Sequence, residues 1–216
     1  MSWYRFFRVL LAPIAKVIFP IRIYGQRKFS RKERLVIAIN HLRWVDPVYL
    51  CANVIPQPHF WGKKELFKGR LAGWFLRKIG AIPLDREGQD LNAVKTALKL
   101  LNDNKVFALF PEGTRNTEDS ENMNALRQGI AMLAIRTKSP IRLCLVHKKA
   151  RFMRMNRMII GAPFTLDEFY GVKATSEVLE KAMVVIETKF SELRTTFNSI
   201  LLRKGIIKNE NHSSKV

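Results

Sequence analysis

Along the chain, short runs in which every position is apolar alternate with longer stretches in which apolar residues return every three or four positions. The first pattern marks a strand buried on both faces, and the second a helix with one face against a core. Residues 35–39, 81–84, 106–110, 141–146 and 158–164 read as strands. Phe67, Leu71, Trp74, Phe75 and Ile79 predict a helix between residues 64 and 78, although Gly69 and Gly73 lower its intrinsic propensity and Gly80 suits its C-terminal cap. Leu91, Val94, Leu98 and Leu101 predict a second helix stopping near Asn104. Leu126, Ile130 and Leu133 predict a third, and Val178, Ala182, Val185, Ile186, Phe190, Leu193 and Phe197 trace a long C-terminal one. Strands alternating with helices imply an α/β fold with a mixed, mostly parallel central sheet flanked by helices and functional loops at the strand ends. The expected organisation is an N-terminal interfacial segment over residues 1–23, one domain over 24–203, and a polar tail over 204–216 that frays.

Charge narrows the choice of partner. The 216 residues hold 38 Lys+Arg against 18 Asp+Glu, a formal +20, while 47% hydrophobic residues supply a full core and exclude a disordered chain. Such a balance calls for a polyanion: nucleic acid, an anionic membrane or a phosphorylated substrate. The aromatics sit inside apolar runs and are not interleaved with basic residues on a stacking platform, which speaks against nucleic acid. The first twenty residues mix Trp3, Tyr4, Phe6 and Phe7 with Arg5, Arg8 and Lys16, and no run reaches the roughly 18 to 20 apolar residues a bilayer span needs. No small-residue cleavage site follows, as a secretory signal would require. Aromatic rings beside snorkelling cations suit the headgroup boundary. An ordinary buried helix is the alternative, and the net charge favours an anionic membrane surface, with the protein peripheral or monotopic on the cytoplasmic face of the cell membrane. Cys51 and Cys144 lie in apolar segments without metal-ligand spacing, so neither a metal nor a disulfide framework is expected, and a reducing compartment fits.

Three polar stretches follow strands. In "AINHLRWVDP", His41 ends an apolar run and Asp46 stands five residues on, before Pro47. Asp46 can be a helix cap with proline in the first turn, or the carboxylate partner of an imidazole base. The pair can meet only across a turn, because positions five apart on a helix differ by roughly 140° in direction. "FPEGTRN" closes the strand at 106–110, where Glu112 and Arg115 can form a surface ion pair or a phosphate grip. "GAIPLDR" ends the strand at 81–84 with Asp85 and Arg86.

In this order, NHxxxxD, a Lys-Lys-Glu-Leu-Phe-Lys stretch, GAIPLDR and FPEGTR resemble the glycerolipid acyltransferase family, over about residues 24 to 146. Departures are Leu42 and Arg43 where the family has Ser or Gln, Leu126-Arg127-Gln128-Gly129 for its Phe-Lys-x-Gly, and a loose echo of its last motif around Pro140. The resemblance implies acyl transfer from a thioester, acyl-CoA or acyl-carrier protein, to the 2-hydroxyl of lysophosphatidic acid, giving phosphatidic acid with no further cofactor. It implies His41 as general base, Asp46 as its orienting carboxylate, and Lys63, with Lys64 as rival, at the oxyanion. Arg86, Glu112, Gly113, Thr114 and Arg115 would bind the acceptor. Trp61, Phe67, Trp74 and Phe75 are candidates for the acyl tunnel, although core packing is the stronger reading of each taken singly. His59, His147 and the cysteines have no expected catalytic task. The other readings are acylation of a different lysophospholipid or glycerol derivative, or a non-catalytic basic protein of the membrane surface.

Overall fold

The computed structural model describes residues 3–29, 34–42, 45–54, 56–85, 90–110 and 120–207, with the backbone alone over 120–127. In chain order the elements are α1 (Trp3–Ile18), β1 (Ile21–Gly25), β2 (Leu35–Ile39), α2 (Asp46–Asn53), β3 (Pro58–Lys63), a 3-10 turn (Lys64–Phe67), α3 (Arg70–Lys78), β4 (Ala81–Leu84) and α4 (Leu91–Asn102). They continue with β5 (Val106–Leu109), α5 (Ser120–Thr137), β6 (Ile141–Val146), β7 (Asn156–Phe164), a second 3-10 turn (Asp167–Phe169) and α6 (Ser176–Arg203).

The seven strands form one sheet in the order β1-β7-β6-β2-β5-β3-β4. Every neighbouring pair is parallel except β6 with β7. This is the mixed, mostly parallel sheet that the apolar runs predict. Side chains alternate across a strand, so β2 serves two cores. Leu35, Ile37 and Ile39 join Tyr49 and Leu50 of α2 on one face, while Val36 and Ala38 join Leu101 of α4, Leu133 of α5 and Ile186 of α6 on the other. α1 lies outside α2, where the Tyr4 hydroxyl donates to the Cys51 carbonyl at 3.0 Å.

Two strands, β1 and β3, are absent from the sequence expectation, and the helix predicted between 64 and 78 is interrupted. Gly69, in an extended conformation, separates the 3-10 turn from α3. Gly73 has a packing reason, since a Cβ there would stand 2.5 Å from the Phe67 carbonyl oxygen. Gly80 takes φ +98 after α3, and a Cβ would meet the Pro58 carbonyl at 2.6 Å, so only glycine allows β4 to start there.

Candidate active site

Parallel strands send their carboxyl ends to one edge of a sheet, which is where ligands gather in open α/β folds. β2, β5, β3, β4 and β6 all end on this edge. Just past β2, Asn40 fastens the strand end: its Nδ2 donates to the Val146 carbonyl at 3.0 Å and its Oδ1 accepts the Val146 N–H at 2.7 Å. His41 leaves from this fixed point, its ring tilted against Phe110 at 4.6 Å between centroids. The chain turns, and Asp46 opens α2 with Pro47 in the first turn.

Asp46, in the first turn of α2, is fully buried. Oδ2 accepts the Leu42 N–H at 2.7 Å and stands 3.1 Å from His41 Nδ1. A carboxylate can only accept, so Nδ1 carries the proton and the Nε2 lone pair is left for another donor. Part of the His41 side chain, 17%, remains open to solvent. A buried carboxylate on Nδ1 and a partly open ring are the features that an imidazole general base requires.

Lys63 closes β3 on the same edge, two strands from β2 and therefore about 10 Å across the sheet. Its ammonium lies 3.7 Å from Glu65 and is exposed. Lys64 Nζ bonds Asp85 Oδ2 at 2.9 Å, and that carboxylate holds the Lys64 pKa above its ordinary value. The two residues help line an open cleft of about 590 Å³, with Lys68, Arg77 and Asp90. Arg86, Glu112, Gly113, Thr114 and Arg115 lie outside the described residues. The described residues before them, Asp85 and Phe110, are both on the His41 edge.

A second, mostly apolar pocket of about 140 Å³ sits under α1, lined by Tyr4, Arg8, Leu11, Pro47, Val48 and Phe75 among others. It begins one residue from Asp46. The four aromatic tunnel candidates are dispersed. Phe75 lines this pocket and Phe67 the cationic cleft. Trp74 packs edge-on to Trp3 and Phe7, while Trp61 packs on Phe107 on the far side of the sheet.

Burial pushes the thiols of Cys51 and Cys144 up to about 12, which keeps them protonated and poorly nucleophilic at neutral pH. His59 lies at the opposite edge, its Nδ1 3.3 Å from the Val106 carbonyl, and burial lowers its pKa. His147 follows β6, and burial lowers its pKa too, helped by Lys148 and Arg157. No group of three or more His, Cys, Asp and Glu side chains converges as a metal cage among the described residues. Asn40 and Phe110 had no assigned role in the sequence. The position of Asn40, directly before His41 at a strand end, was the available signal.

Known proteins resemble this chain. A family model described as Acyltransferase matches residues 20–146. The chain is 30% identical to the 1-acyl-sn-glycerol-3-phosphate acyltransferase of Bacillus subtilis, over 88% of its own length and 100% of that protein. It is 29% identical to the enzyme of the same name from Streptococcus pneumoniae, over 76% of this chain and 62% of that one. The crystal structure of the 1-acyl-sn-glycerophosphate acyltransferase of Thermotoga maritima superposes with a TM-score of 0.63 at 18% identity, covering 88% of this chain and 81% of the other, a likeness of fold. With a matching family model over more than half its length, and a relative matched from end to end, this chain belongs to the acyltransferase family.

Proposed function

We propose that the chain is a 1-acyl-sn-glycerol-3-phosphate acyltransferase, moving a fatty acyl group from a thioester to the acceptor's 2-hydroxyl and releasing phosphatidic acid and a thiol. The buried Asp46 beside His41 carries the reading, together with the relatives' activity. Nε2 of His41 takes the hydroxyl proton as the oxygen attacks the thioester carbonyl, and the imidazolium that forms is stabilised by Asp46. The tetrahedral oxyanion collapses, the C–S bond breaks, and the thiolate recovers the proton from His41. A thioester is already activated, so no covalent enzyme intermediate is needed.

Lys63 is assigned to the oxyanion, by its place at the carboxyl edge. Arg86 and Arg115 are assigned to the acceptor phosphate, with Glu112 orienting Arg115, Gly113 allowing close backbone approach and Thr114 among the acceptor-binding residues. The pocket under α1 suits a fatty chain, since Pro47, next to Asp46, lines it and most of the other lining side chains are apolar.

The membrane surface is the assigned location. No helix among the described residues is long and apolar enough to cross a bilayer. α1 instead exposes Trp3, Phe6, Val9, Leu10, Ile14 and Val17 beside Arg5 and Lys16, a surface suited to lying in an anionic interface. The testing experiment is a transfer assay that crosses lysophosphatidic acid, lysophosphatidylcholine and monoacylglycerol with acyl-CoA and acyl-carrier-protein donors. Turnover restricted to lysophosphatidic acid is expected with at least one donor. Turnover confined to a phosphate-free acceptor contradicts the assignment.

A further inference from the structure

The connection between β6 and β7 together with the first two residues of β7, residues 147–157, reads His-Lys-Lys-Ala-Arg-Phe-Met-Arg-Met-Asn-Arg: five Lys and Arg, three large apolar residues and no acid. Phe152 is 64% exposed, Met153 65% and Met155 49%, an unusual presentation for side chains that gain by burial.

The segment is built, not loose. Asn156 is buried and organises it through four contacts: Oδ1 accepts the Arg151 N–H at 2.9 Å, while Nδ2 faces the carbonyls of Arg154, Pro20 and Arg151 at 2.8, 3.1 and 3.2 Å. Met153 is held at φ 49, a left-handed conformation that an ordinary side chain rarely adopts, by its N–H to the Ile18 carbonyl at 2.7 Å. Phe152 meets Phe19 edge-on at 6.0 Å. The tip is thus tied to the end of α1. The topology adds a second relation: β6 runs parallel to β2, and β7 and β1 start where β6 ends, so tip, α1 terminus and His41 share one edge of the sheet.

From these observations we infer that the β6–β7 connection is a second lipid-contacting element, which inserts Phe152, Met153 and Met155 between anionic headgroups while Lys148, Lys149, Arg151 and Arg154 engage them. The inference rests on the membrane-surface reading of α1 and extends it. The charge selects the occupant, because an acid-free ring of cations around an apolar tip complements an anionic lipid surface and repels a second copy of this basic chain. Anchoring at this edge holds the catalytic pair where a lyso-lipid's head emerges from the bilayer.

The test uses the full chain and vesicles of equimolar dimyristoyl-phosphatidylglycerol and dimyristoyl-phosphatidylcholine. Peroxide oxidation of Met153 and Met155, followed by peptide mass spectrometry, should slow roughly fivefold or more in vesicle-bound protein. A double Phe152→Ser, Met155→Ser variant should partition to the vesicles about tenfold less. It should keep its activity on a short-chain, dissolved lysophosphatidic acid. Unslowed oxidation in protein that pellets with vesicles overturns the inference, as does unchanged partition of the variant. A wild type that does not pellet at all overturns the membrane reading with it, while the dissolved-substrate assay judges the transferase reading separately.

Discussion

Nδ1 of His41 stands 3.1 Å from Oδ2 of the fully buried Asp46, across a turn whose Leu42 N–H binds the same oxygen. The carboxylate therefore holds both the ring and the backbone that carries it. Asp46→Asn keeps the shape and removes the charge that steadies the imidazolium, so kcat should fall by roughly 10- to 10³-fold. KM should change little, and circular dichroism should show an intact fold. A fall confined to KM would place Asp46 in substrate binding instead.

Asn40 acts on the site from behind. Its two bonds to Val146 join the ends of β2 and β6, and Asn40→Ala would leave a buried N–H and a buried carbonyl unpaired. The expected cost is about 2–4 kcal/mol, a fall in Tm of roughly 5–15 °C by differential scanning calorimetry. Asn40→Asp should recover part of this, because Asp can still accept the Val146 N–H but cannot donate to its carbonyl.

For the acceptor phosphate, Arg115→Ala should reduce kcat/KM for lysophosphatidic acid by roughly ten- to a hundredfold, with partial rescue by lysine, which keeps charge without the planar fork. The control is monoacylglycerol, on which the variant should be hardly worse than wild type. Equal proportional losses on both acceptors would remove the phosphate assignment.

His59 gives a pH dependence of stability. Burial lowers its folded-state pKa below the usual histidine value, so between the two values the unfolded chain binds more protons. Stability is then fully present above the unfolded value and lost as pH falls toward the folded one. Tm should drop between about pH 7.5 and pH 5.5, and His59→Gln should narrow that drop. A variant whose Tm falls as steeply as wild type would move the effect elsewhere, for example to His147.

The sequence displayed what is local. β2 and β6 were legible because continuous apolar runs have few alternatives, and α4 because its period ends at Asn104, which takes φ 56. β3 was not, since it starts at Pro58, includes His59 and Gly62, and becomes a strand by pairing with β4 and β5. β1 likewise depends on β7, more than a hundred residues away in the chain, and its Ile-Arg-Ile-Tyr could be taken for the end of the N-terminal segment. At the site, the His41 to Asp46 spacing was visible because a turn suffices to bring them together. The bond of Asn40 to Val146 and the ring contact of Phe110 with His41 follow only from the order of strands.

The central claim is that His41 removes the acceptor's proton, and single-turnover acyl transfer to lysophosphatidic acid at saturating donor and acceptor tests it most directly. Wild type should form phosphatidic acid, and a folded His41→Ala protein should do so roughly 10²- to 10⁴-fold more slowly. Near-normal transfer by His41→Ala would contradict the account.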